Sequence, residues 1–86
     1  MDNVTFKRIA LAQLREWMHE DIKTVDKIYS LIEDILRNGS AKGIGKPERL
    51  KHIDGWSRRI DNTNRLVYKI KDDQIIIDSC KDHYDD

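Results

Sequence analysis

The apolar positions of this chain change period twice. Residues 3–6 put Val4 and Phe6 on one side of a short extended segment, the alternation of a strand. From Ile9 the steps lengthen: Ile9, Leu11, Leu14, Trp17 and Met18 approximate a helical stripe. A second stripe runs through Ile22, Val25, Ile28, Tyr29, Ile32, Ile35 and Leu36, with the three- and four-residue steps of an amphipathic helix. Asp21 is placed to cap its start, and Asn38-Gly39 to stop it. These stripes predict an α-hairpin over about residues 8–37, with Trp17 and Tyr29 as core residues.

Residues 39–47 (Gly-Ser-Ala-Lys-Gly-Ile-Gly-Lys-Pro) break the helical pattern. The loop is glycine-rich and carries lysines, but no G-x-x-x-x-G-K-[ST] spacing can be read, so the pattern argues against a nucleotide phosphate loop. Glycines that let backbone approach an RNA phosphate remain compatible with it. Past Glu48 the period becomes two. Residues 56–60, 65–70 and 74–80 read as strands, joined by turns at 61–64 and 71–73. Connections this short imply antiparallel hairpins. The order β-α-α-β-β-β gives a single α+β domain over residues 1–86, in which an N-terminal strand and an α-hairpin pack on an antiparallel sheet. The other sheet face is left to carry Arg58 or Arg59, together with Arg65.

Composition narrows the function classes. Hydrophobic residues are 38% and charged residues 37% of 86, which describes one small domain with a heavily solvated surface and no space for a deep cofactor cavity. The lone cysteine, Cys80, excludes an internal disulfide framework, suits a reducing cytoplasm and reads as a buried strand residue. His19, His52 and His83 are widely spaced and lack cysteine company, so neither a metal site nor a cofactor is expected. No apolar run approaches the roughly 20 residues that span a bilayer, and Met1-Asp2-Asn3 does not begin a secretory signal, so no membrane association is expected.

The zero net charge conceals an asymmetry. Residues 1–41 sum to −1, residues 42–71 to +6, and residues 72–86 to −5. The middle third is therefore the candidate polyanion surface, although a basic face can also be merely solvated.

Four segments carry a resemblance. Gly45-Lys46-Pro47-Glu48 with Leu50-Lys51, Trp56-Ser57-Arg58-Arg59-Ile60, Arg65-Leu66-Val67-Tyr68 and His83-Tyr84 together resemble the YoeB branch of the RelE/ParE toxin superfamily. Three features depart from that pattern. Asn64 stands where the family often has His, the stretch between Lys51 and Trp56 is shorter, and Asp85-Asp86 follow the His-Tyr pair. An ordered acidic tail would raise the pKa of His83.

The resemblance implies a microbial RNase fold of the RelE/YoeB kind and a toxin of a type II toxin–antitoxin system. It implies cleavage of mRNA in the ribosomal decoding site by attack of a ribose 2′-OH on the adjacent phosphate. Such a reaction needs a base, cations at the phosphorane and an acid for the leaving oxygen. By resemblance Glu48 is the general base, His83 the general acid, Arg65 the phosphate fork, and Tyr84 a stacking or phosphate-positioning ring. Lys46, Lys51, Arg58 and Arg59 are the candidate RNA contacts. The implied partners are the ribosome, mRNA and a cognate YefM/Phd-like antitoxin. Homodimers occur in the family, and the sequence does not decide that point. Two other readings stay open: a non-nuclease toxin of the same fold, such as a gyrase poison, and an RNA-binding module without chemistry.

Overall fold

The structure, a computed structural model, describes residues 3–81. His83 and Tyr84 lie outside the described residues. The elements are β1 (Asn3–Phe6), α1 (Arg8–Glu20), α2 (Ile22–Asn38), β2 (Glu48–Arg49), β3 (Trp56–Arg59), β4 (Arg65–Lys71) and β5 (Gln74–Ser79). The helices pack on one face of a five-stranded sheet of order β1-β5-β4-β3-β2.

Asp21 both ends α1 and starts α2. Its backbone N–H closes α1 on the Trp17 carbonyl at 2.8 Å, while its carboxylate accepts from the Lys23 N–H at 3.2 Å and the Thr24 hydroxyl at 3.1 Å. One residue thus satisfies orphan backbone groups of α2 and sets the bend of the hairpin. Gly39 terminates α2 at φ 86°, a conformation that other residues adopt with strain, and donates its N–H to the Ile35 carbonyl.

The core lies between the hairpin and the sheet. Ile28, Leu31 and Ile35 of α2 and Ala10 of α1 are fully buried against Leu66, Tyr68, Ile75 and Ile77. Cys80 also faces this core and is fully buried, and burial pushes its thiol up to about 11. A thiol held protonated and away from solvent is chemically quiet.

The structure departs from the sequence expectation in three places. Tyr29, expected in the core, is 52% exposed, and Ile9, Leu11, Met18 and Ile22 are also exposed. Each helix in a two-layer domain buries one stripe, and α2 buries the one through Val25, Ile28, Leu31, Ile32 and Ile35. Ile22, Tyr29 and Leu36 repeat every seven residues along a flank that the sheet does not cover. Second, β1 pairs with β5 in parallel, with Val4 beside Ile75 and Phe6 beside Ile77, so the sheet is mostly rather than wholly antiparallel. Third, Glu48-Arg49 forms an extra edge strand of two residues, paired with Ser57 and Trp56.

Candidate functional site

The register decides which side chains meet on the face opposite the helices. On β3, Arg58 points to the helices, so alternation sends Ser57 and Arg59 the other way. On β4, Leu66 and Tyr68 enter the core, which sends Arg65 and Val67 outward. Glu48 pairs with Ser57 across β2–β3, and Arg59 pairs with Arg65 across β3–β4. Glu48, Ser57, Arg59 and Arg65 thereby share one patch, although they come from three strands.

Within this patch the Arg65 guanidinium donates to Glu48 Oε2 at 3.4 Å and to the Ser57 hydroxyl at 3.3 Å. Both distances are long for hydrogen bonds that involve charged groups. The Glu48 side chain is 63% exposed and that of Arg65 is 16% exposed. A carboxylate therefore projects into solvent beside a guanidinium braced by a buried hydroxyl. Ser57 is a member of the patch that the motifs alone do not single out. Its signal is the alternation that places it between Trp56 and Arg58, on the outward side.

The charge arrangement on this face is unfavourable by itself. Arg59 and Arg65 are direct cross-strand partners, and like charges directly opposite destabilise a sheet. Arg59 is exposed, and among the described residues its guanidinium has no ion-pair partner. Lys46 and Lys51 are exposed in the loops on either side of β2. An anion bound between the two guanidiniums would relieve the repulsion. Among the described residues no group of three or more His, Cys, Asp or Glu is placed to hold a metal ion, and no helix is long and apolar enough to cross a membrane.

Arg58 departs from its expected role. The sequence reading puts it among the candidate RNA contacts, but it is fully buried on the helix side of the sheet. Its Nε donates to the Tyr68 hydroxyl at 2.9 Å. Nη1 donates to Asp34 and to the Ile44 carbonyl, and Nη2 to the carbonyls of Gly39 and Lys42. All five N–H donors of the guanidinium are used inside the protein, so none is available to RNA. Buried charge is stable only when paired in this way.

The Arg58 guanidinium beside Asp34 holds its carboxyl below the usual carboxylate range, helped by the Ile44 N–H and Asn38. Because the native pKa lies below the unfolded one, the stabilisation is complete above the ordinary value of about 3.9 and fades as pH falls through the native value. The stability gap between wild type and Asp34→Asn is therefore expected to narrow as urea titrations move below that ordinary value. A gap that stays constant on acidification would contradict the assignment.

The other expected site residues, His83 and Tyr84, fall outside the described residues. Strand β5 ends at Ser79, which pairs with Val67, two residues along β4 from Arg65.

Three comparisons bear on this site. A family model described as the YoeB-like toxin of bacterial type II toxin–antitoxin systems matches residues 6–84. Toxin YoeB of Streptomyces coelicolor is 46% identical over 83 residues, which cover 94% of this chain and 98% of the relative. Among solved structures, a chain of the heterotetrameric YoeB–YefM toxin–antitoxin complex from Staphylococcus aureus superposes with a TM-score of 0.88 at 45% identity, covering 95% of this chain and 97% of that one. The YoeB dimer from the same organism gives a TM-score of 0.89 at 45% identity with the same coverage.

Proposed function

The chain belongs to the YoeB-like toxins of bacterial type II toxin–antitoxin systems, and from that membership we propose that it is an enzyme, a metal-independent endoribonuclease that cuts mRNA in the ribosomal decoding site. The observation that carries the reading is the exposed Glu48 carboxylate held beside the Arg65 guanidinium, opposite a second arginine that has no ion-pair partner among the described residues. That trio has the parts for in-line attack at a phosphate. Glu48 takes the proton of the ribose 2′-OH, and the 2′-oxygen attacks the adjacent phosphorus. Arg65 and Arg59 hold the non-bridging oxygens as charge gathers on the phosphorane. His83 donates a proton to the departing 5′-oxygen. The products are a 2′,3′-cyclic phosphate and a 5′-hydroxyl end. Tyr84 stacks on or positions the substrate.

Partners follow from relatives. The Staphylococcus aureus YoeB chain stands in a complex with YefM and also as a dimer. A YefM/Phd-like antitoxin is the proposed partner here, and a homodimer a proposed second assembly. The exposed Ile9, Leu11, Met18, Ile22 and Tyr29 give a protein partner apolar area to cover. The ribosome and its message are the proposed targets of the basic middle segment, and the cytoplasm the proposed compartment.

Charge removal tests the division of labour. Arg65→Ala is expected to weaken ribosome binding and to slow cleavage by about 10²–10³ even at saturation, because a phosphate fork both binds and stabilises the transition state. Lys46→Ala and Lys51→Ala are expected to weaken binding only, with the log–log salt slope falling by about 0.7–0.9 for each phosphate that is no longer neutralised. Binding at two salt concentrations and single-turnover cleavage measure both. Equal behaviour of Arg65→Ala and Lys51→Ala in the two assays would remove Arg65 from the reaction.

A further inference from the structure

Strand β2, which carries Glu48, is poorly fixed by the sheet alone. It has two residues, sits at the sheet edge and makes two pairings, Glu48 with Ser57 and Arg49 with Trp56. A carboxylate that must meet a single hydroxyl needs tighter control than a frayed edge provides. The control comes from the loop that leads into β2.

That loop is tied down from beneath. The Arg58 guanidinium holds the carbonyls of Gly39, Lys42 and Ile44 at 2.7–3.0 Å, and Tyr68 donates its hydroxyl to the Ser40 carbonyl at 2.7 Å. Asp34 accepts the Ile44 N–H at 3.1 Å and pairs with Arg58. The loop fits closely enough to need glycine at two points. At Gly43, φ is 123° and a Cβ would collide with the Asp34 carboxylate; at Gly45, φ is 82° and a Cβ would stand 2.8 Å from Leu31. The last tie reaches the edge of the sheet, where the Arg59 N–H donates to the Gly45 carbonyl at 2.7 Å, three residues before Glu48.

We propose that Arg58, with Asp34 and Tyr68, is a positioning residue for Glu48. The buried guanidinium locks residues 39–45 onto the sheet, and the locked loop delivers β2 in the register that sets the carboxylate beside Ser57 and Arg65. The adjacent arginines of one motif then do different work on opposite faces, Arg59 toward phosphate and Arg58 toward the loop. A buried ion pair is seldom the most stabilising way to fill a core, so its yield here is the placement of the loop. The inference rests on the reading of Glu48 as the general base.

Tyr68→Phe is the informative variant, because it keeps the ring and deletes only the hydroxyl that joins Arg58 to Ser40. Arg58→Lys serves as a second variant that keeps the charge and cannot make five bonds. Amide exchange and chemical shifts are read by NMR alongside single-turnover cleavage, in the wild-type and Glu48→Gln backgrounds. In Tyr68→Phe the Ile44 and Arg59 amides are expected to exchange faster and the Glu48 amide resonance to move. The maximal cleavage rate should fall about tenfold or more with the half-saturating ribosome concentration unchanged. In the Glu48→Gln background the same change should have little further effect, since a misplaced base and an absent base are equivalent. An unmoved Glu48 resonance overturns the inference, as does an equal rate loss in both backgrounds. Absence of cleavage by the wild type is a different failure and strikes the reading of the site itself.

Discussion

Arg58→Met is expected to destabilise the protein by about 3–5 kcal/mol, while Arg59→Met, one residue away, stays within about 0.5 kcal/mol. The contrast follows from the register. Removing the Arg58 guanidinium leaves Asp34 as a charge without its partner and frees the carbonyls of Gly39, Lys42 and Ile44 from their donor. Removing that of Arg59 relieves a repulsion with Arg65 on the exposed face. Small domains are stable by about 5–15 kcal/mol in total, so the first change takes a large share of the margin. Urea unfolding of the two variants measures the difference; equal midpoints would contradict the stabilising role of the buried Arg58 network, and a lower midpoint for Arg59→Met would mean that the faces of β3 are reversed. The destabilised variant also serves as a stability control for functional assays of other residues.

Glu48→Gln and His83→Gln are each expected to keep ribosome affinity and to lose about 10²–10⁴ in cleavage rate, the range for a positioned base or acid. Affinity persists because neither change removes the excess of basic residues in 42–71, which is +6. The rate falls because glutamine cannot take the 2′-hydroxyl proton and cannot protonate the leaving oxygen. Cleavage near the wild-type rate by both variants, with binding intact, would leave the family fold without the proposed chemistry.

The parts of the fold legible in the sequence were those written in local chemistry. Asp21 and Asn38-Gly39 marked the helix boundaries because capping is satisfied within a turn, and the structure places the helices at 8–20 and 22–38. The three long strands announced themselves by alternation. Strand β2 did not, because two charged residues at an edge contain no period. The parallel partner of β1 was hidden for another reason: four residues carry no direction, and the pairing of Phe6 with Ile77 spans the whole domain. Tyr29 was misplaced because an amphipathic pattern counts apolar residues without knowing how wide a strip the neighbouring layer can cover.

The site was legible in a different way. Glu48 and Arg65 are 17 residues apart, and only the pairing of three strands brings them together, so no spacing rule predicts that they meet. Resemblance supplied them. Arg58, in contrast, could have been assigned from the pattern. Trp56 and Ile60 flank it on the core face, and Asp34 lies on the buried stripe of α2 between Leu31 and Ile35. A basic residue on the apolar phase of a strand and an acidic residue on the apolar phase of a helix are each costly alone. Together they point to a buried ion pair.

The central claim, that this toxin cuts mRNA at a decoding site through the ribose 2′-hydroxyl, is tested most directly by mapping message ends with purified wild-type protein. Ribosomes would be programmed either with an ordinary message or with one that carries a single 2′-deoxy sugar at the cut position, and both messages would also be supplied free. The account predicts new ends, one a 2′,3′-cyclic phosphate, on the ordinary ribosome-bound message alone. Equal cutting of the deoxy message, or ribosomes bound by the protein with their message intact, would contradict it.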